Sequence, residues 1–175
     1  CLEAGVPDGV VQVVHGRGED VGAQLVAHPG VRMVSFTGGT ETGRHIGVSA
    51  VQRIVPVALE LGGKSPHVIF DDANVEHAIA AVLSGIYGSS GQSCVTGSRV
   101  FVQETIYAEM LDRMVERTAA IRVAAPDDPA VEVGPLASMH HRSKVASHVE
   151  QGLKAGGRVR IGGAVPTGGI FDKGA

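Results

Sequence analysis

Short β-branched runs alternate with helix-periodic stretches along this chain, and each switch falls at glycine, proline or small polar residues. Before residue 62 the extended runs are GVVQVVHG at 9–16, VRMVSFTG at 31–38 and RIVPVALEL at 53–61. Between them, EDVGAQLVAH keeps helical spacing and stops before Pro29, and a short helix is expected over 40–49. Strands separated by helices of that length cannot be joined as hairpins. They must lie parallel, with the helices as crossovers, which is the α/β fold class. Pro56 inside the third run argues for an irregular or edge position.

After Gly62-Gly63 the pattern starts again. SPHVIF reads as a strand, and DANVEHAIAAVLSGIYGS as an amphipathic helix opened by the acidic pair Asp71-Asp72. SRVFVQE is a strand and TIYAEMLDRMVERTAAI a strongly periodic helix. APDDPAVEVGPLAS follows as a loop. SMHHRSKVASHVEQGLKAGG is a helix with a Gly-Gly end, and RVRIGG is expected as a last short strand. A domain boundary is expected near Gly62-Gly63.

Composition excludes several classes of function. The 175 residues are 43% hydrophobic and 19% charged, as in a globular chain, and a net charge of -3 with scattered basic residues offers nothing to nucleic acid or an anionic membrane. No apolar run approaches the roughly 20 residues needed to span a bilayer. The two cysteines, Cys1 and Cys94, build no disulfide framework, so a reducing, cytoplasmic compartment is expected. The chain begins with Cys and ends on FDKGA, which reads as a segment of a longer protein.

Three stretches carry candidate chemistry. In FTGGTETGRHIG, Gly38, Gly39 and Gly43 lead from a strand into the first turn of a helix, where backbone can approach a ligand and free N–H groups favour phosphate. The spacing is close to a P-loop, but Arg44 stands where that motif has Lys and His45 where it has Ser or Thr. GRGEDVG at 16–22 misses the dinucleotide fingerprint because its last glycine comes one position late. Either cluster also reads as a plain strand-to-helix turn. Cys94 in SSGQSCVTGSR has small polar neighbours, unlike a buried structural cysteine, so a substrate can reach its sulfur and loop amides can hold an oxyanion. Reactive and incidental readings both fit. Glu60, inside VALELGGKSP, is either a carboxylate paired with Arg53 or Lys64, or a general base with its pKa raised by burial. The eight histidines include no HExxH, and His140, His141 and His148 share an otherwise polar helix, so no metal site is expected.

In register, FTGGTETG, LELGGKSP and GQSCVTGSR resemble the aldehyde dehydrogenase superfamily, and the 34 positions from Glu60 to Cys94 match its usual separation. The likeness runs from AGVPDGVVQVVHG to the helix before GGRVRIGG. It implies an oxidoreductase that converts an aldehyde to a carboxylic acid with NAD or NADP. Cys94 matches the nucleophile that forms a thiohemiacetal and then a thioester, and its backbone N–H matches half of the oxyanion hole. Glu60 matches the base that activates the hydrolytic water. Gly38, Gly39, Thr40, Glu41, Thr42 and Gly43 match the turn along the cofactor, and Leu61 a position whose backbone approaches the nicotinamide.

The resemblance further implies a Rossmann-like cofactor domain, its second half at residues 1–61, and the first part of a catalytic domain at 62–175. It implies a small-molecule aldehyde as substrate and a homo-oligomer, dimer or tetramer, as the full-length enzyme. The asparagine that completes the oxyanion hole and the residues that grip the adenosine ribose are expected before Cys1, and the motif holding the nicotinamide ribose after Ala175, so the segment alone is expected to be inactive. Many relatives have Ser at the position of Gly39, and often an aromatic and a polar residue at those of Gly88 and Ser89. Small residues at 88 and 89 would enlarge the substrate tunnel. Two alternatives remain: a CoA-acylating aldehyde dehydrogenase, in which a thiol releases the acyl group, and a non-catalytic protein that keeps the fold.

Overall fold

The computed structural model describes residues 2–172 and residue 174. It divides into two compact units, Cys1–Gly62 and Gly63–Ala175.

In the first unit, a π-helical turn at Gly18–Gly22 runs into α1, Ala23–Ala27. Strand β1, Val34–Gly38, is followed by helix α2, Thr40–Gln52, and strand β2, Val57–Leu61. β1 and β2 pair in parallel, from Val34 opposite Val57 to Gly38 opposite Leu61, with α2 as the crossover. A parallel pair demands such a crossover, as the alternation of runs in the sequence requires. α2 lies on the face that carries Leu59 and Leu61. A methyl group on Gly47 would meet Leu59 at 3.7 Å, and one on Gly43 would meet Leu61 at 2.6 Å. Side chains alternate along a strand, so Ala58 and Glu60 point to the opposite face. Val34 and Ala50 are the buried apolar residues of this unit among those described. The Arg53 guanidinium donates to the carbonyls of Val26 and Val31, tying the end of α2 to the segment before β1.

The run at 9–16 is extended but forms no strand. Val10, Val11, Val13 and Val14 are all at least 60% exposed, because β1 has β2 as its ladder partner and the run has none among the described residues. β-propensity sets a local preference, whereas a strand also needs a second backbone.

In the second unit, strand β3, Pro66–Ile69, is joined through helix α3, Val75–Tyr87, to strand β4, Arg99–Val102, and β3 and β4 are parallel. Helix α4, Glu104–Ala119, follows. Ile69, Ile79, Val82 and Met110 form the core, with Val100, Val102, Ile106 and Met114 packed against it. Asn74, and not the acidic pair before it, caps α3, accepting from the His77 amide at 3.0 Å. Asp71 instead accepts from Gln103 Nε2 at 2.7 Å and Thr105 Oγ1 at 3.2 Å, while the Asp71 amide donates back to Gln103 Oε1. A carboxylate used as a clasp between the two strand ends is not free to cap. Glu76 pairs with Arg113 and Arg117, joining α3 to α4.

Helix α5, Met139–Lys154, is capped by Ser138, which accepts from the His141 amide. It ends in a Schellman turn: Gly156 has φ +91°, and the amides of Gly157 and Gly156 donate to the carbonyls of Gly152 and Leu153. The expected strand at 158–163 is absent. Gly162 and Gly163 have positive φ, and Val159 and Ile161 find no ladder partner among the described residues. No helix of the described residues is long and apolar enough to cross a membrane.

Candidate active site

Each unit carries part of the predicted site. In the first, β1 delivers Gly38 and Gly39 directly into α2. Gly39 is the N-cap, extended at φ -72° and ψ 146°, and contributes no side-chain cap. The first intrahelical bond runs from the Gly43 N–H to the Gly39 carbonyl, so the amides of Thr40, Glu41 and Thr42 precede the ladder. A methyl group added to Gly39 would meet nothing within 4 Å, so the space beside the N-cap is open. An uncapped first turn with positive dipole and room beside it fits a phosphate group, and so fits a pyrophosphate-bearing cofactor. Glu41 would oppose an anion, but it is paired with Arg44 in the same turn.

Gly38 and Leu61 are register partners at the carboxyl ends of β1 and β2, where open parallel sheets bind ligands. The structure therefore brings the glycine turn, Glu60 and Leu61 to one edge. Glu60 sits opposite Thr37 and is exposed, which departs from the buried one of the two readings its apolar run allows. The reason is the alternation of the strand: α2 covers the leucines and leaves the glutamate face open. Glu60 pairs with neither Arg53, which is spent on backbone carbonyls, nor Lys64, whose Nζ donates to Gly63 O.

In the second unit, α3 ends at Tyr87 and a tight left-handed turn follows, with φ of 52° at Ser89, 54° at Ser90 and 72° at Gly91. Positive φ costs an L-residue about 1–2 kcal/mol, so the serines are held there by their surroundings. Ser90 Oγ accepts from the Gly134 amide at 3.2 Å. A second turn closes around the cysteine, from the Thr96 N–H to the Ser93 carbonyl at 3.4 Å, with Cys94 and Val95 at its tip. Cys94 is a free thiol and exposed, and Val95 is 79% exposed. Thr96, by contrast, is 7% exposed, and its Oγ1 donates to the Gly85 carbonyl at 3.2 Å. A cavity of about 320 Å³ opens beside this turn, lined by His67, Gly88, Ser89, Ser93, Thr96 and Gly97 among others.

An accessible thiol on a turn with a fixed stem can attack an electrophile, and an exposed carboxylate at a sheet edge can accept a proton from water. Ser90, Thr96 and His67 did not stand out in the sequence. Ser90 and Thr96 act through hydrogen bonds to backbone far along the chain, and only the crowding of Gly, Ser and Thr around Cys94 hinted at tight turns.

Residues 1–175 match the aldehyde dehydrogenase family along their whole length. The chain belongs to that family. A betaine aldehyde dehydrogenase of Brucella ovis is 46% identical over 172 residues, covering 98% of this chain and 35% of the relative. Among solved structures, a putative aldehyde dehydrogenase from Burkholderia cenocepacia superposes with a TM-score of 0.95 at 41% identity, covering 99% of this chain and 35% of that one. A betaine aldehyde dehydrogenase from Staphylococcus aureus, solved in complex with NAD+, superposes with a TM-score of 0.94 at 38% identity, covering 99% and 34%. The chain thus spans about a third of the length of the aldehyde dehydrogenases it matches. Its α/β fold with parallel strands and crossover helices is the fold of this family.

Proposed function

We propose that this chain carries the thiol and the base of an NAD(P)-dependent oxidation of an aldehyde to a carboxylic acid. The observation that carries this reading is the exposed thiol of Cys94 at the tip of a turn whose stem is fixed by Thr96. Membership of the aldehyde dehydrogenase family supports it.

The thiolate of Cys94 attacks the carbonyl carbon, forming a C–S bond, and the backbone N–H of Cys94 donates to the alkoxide that develops. Acceptance of a hydride from that carbon, which leaves a thioester on the sulfur, is the chemistry NAD(P) supplies when bound. The amides of Thr40, Glu41 and Thr42, with Gly38, Gly39 and Gly43 around them, would hold the cofactor's phosphate groups, and the backbone of Leu61 would contribute to the same site. Glu60 then takes a proton from water. The water oxygen adds to the thioester carbonyl, the C–S bond breaks, and the acid leaves as the Cys94 thiolate is restored. In this reading residues 1–61 belong to the cofactor domain and 62–175 to the catalytic domain of a homo-oligomeric enzyme in a reducing compartment.

The test is Glu60→Gln in the intact protein, assayed against an aldehyde panel that includes betaine aldehyde, with NAD and NADP in turn. The first turnover should persist while the steady-state rate falls by roughly 10²–10⁴-fold, and intact mass should show acyl groups held on Cys94. An unchanged steady-state rate would remove Glu60 from this role. A rate that depends on added CoA would favour the acylating branch.

A further inference from the structure

His67 lies on β3 two residues before the core residue Ile69, so both side chains project from the face on which the core packs. Its imidazole is half-buried and reaches the backbone that follows Cys94. A methyl group on Gly97 would lie 2.0 Å from both Cδ2 and Nε2 of the ring, closer than any real contact. One on Gly85, in α3, would lie 3.7 Å from Nε2. The ring therefore occupies the room that side chains at 85 and 97 would take. Beside it, Thr96 reaches the Gly85 carbonyl.

The Cys94 turn is closed by backbone bonds from Thr96 to Ser93 and from Ser98 to Thr96, and its packing is one-sided. Cys94 and Val95 are exposed, Ser93 is half-buried, and the cavity of about 320 Å³ leaves one side of the turn without packing. Two side-chain anchors bear on its stem, the Thr96 hydroxyl on Gly85 and the His67 ring against Gly97. Resting on the proposed role of Cys94, we infer that His67 is a positioning residue for the nucleophile: the imidazole sets where the Thr96-Gly97 stem sits and thereby where the Cys94 sulfur points. It touches no reacting atom.

The contact itself supplies the test. In the intact protein, Gly97→Ala adds a methyl that the ring excludes, and His67→Ala removes the ring. Each single variant should lower kcat about tenfold or more, since small misplacements of a reacting group are expensive, with KM little changed. In the double variant the methyl has room, so adding Gly97→Ala to His67→Ala should cost far less than adding it to the wild type. The second readout is the rate at which iodoacetamide alkylates Cys94, per folded molecule and with a Cys94→Ala control to subtract Cys1. That rate should shift at least threefold in each single variant and return toward wild type in the double. It needs no aldehyde turnover, so an inactive wild type with shifted alkylation would sink the proposed function and leave the positioning role standing. Additive effects, or alkylation that none of the three variants alters, would overturn the role of His67.

Discussion

Gly43 and Gly97 both sit where a side chain would collide, yet the neighbours differ in what they can yield. At Gly43 the obstacle is Leu61 Cδ2 at 2.6 Å, the end of a side chain that can rotate. At Gly97 it is an imidazole ring that also lies against Gly85 of α3. Alanine at Gly43 also gains about 1 kcal/mol of helix propensity, which offsets the cost of moving Leu61. Gly43→Ala should therefore leave the melting temperature within a few degrees of wild type. Its effect should fall on the cofactor, because the displaced leucine stands at the sheet edge beside the turn proposed to hold the phosphates. A raised KM for NAD(P) with kcat retained is the expected result, and an unchanged KM would separate Leu61 from cofactor binding. That Cys94 lies on a turn and that Gly38 and Gly39 join a strand to a helix was legible in the sequence, because glycine and small polar residues mark such turns. The openness around Glu60 was not, since it depends on which strand face the crossover helix covers.

At the level of elements, every helix expected from periodicity is present, and so are four of the six extended runs. Of the two that fail, 9–16 and 158–163, the first is no less β-like in composition than β1. A helix satisfies its own backbone, whereas a strand borrows a partner's, and local sequence does not reveal whether one is available. Loops show the same limit in another form. APDDPAVEVGPLAS reads only as proline and acid, yet Val123 bridges Val133, and Asp128 accepts from the Ala130 amide at 2.9 Å and from the Arg122 guanidinium. These bonds, the backbone one first, hold the Asp128 carboxyl below its usual 3.8. A depressed folded value means that the contribution to stability is present above pH 3.8 and is lost as pH falls through the lowered value. The Asp128 carboxyl carbon should thus titrate below 3.8 by NMR. Arg122→Ala should move it part of the way back, because the Ala130 bond remains. A full return to the usual value would assign the whole effect to the guanidinium.

Across the whole chain, burial is uneven, and the unevenness follows the division at Gly62. Among the described residues, the fully buried large side chains, Ile79, Met110 and Val82, all lie in the second unit, where two helices close over a parallel strand pair. In the first unit α2 covers one face of its pair, while Val10, Val13, Val51 and Ile54 are 66%, 76%, 71% and 92% exposed. Stability in a protein is distributed in just this way, in units that open at different free energies. Apolar burial at about 25 cal/mol per Å² is the dominant favourable term, so the unit with the enclosed core should resist opening and the other should not. Amide hydrogen exchange on the 175-residue chain tests this directly. The slowest amides should lie in α3 and α4 around Ile79, Val82 and Met110, and those of 9–16 and β2 should exchange orders of magnitude faster. Met110→Ala, which empties a fully buried site, should cost roughly 2–5 kcal/mol and speed exchange throughout the second unit while leaving the first almost unchanged. Equal acceleration in both units would mean that they unfold as one, and that the junction after Leu61 joins rather than divides them.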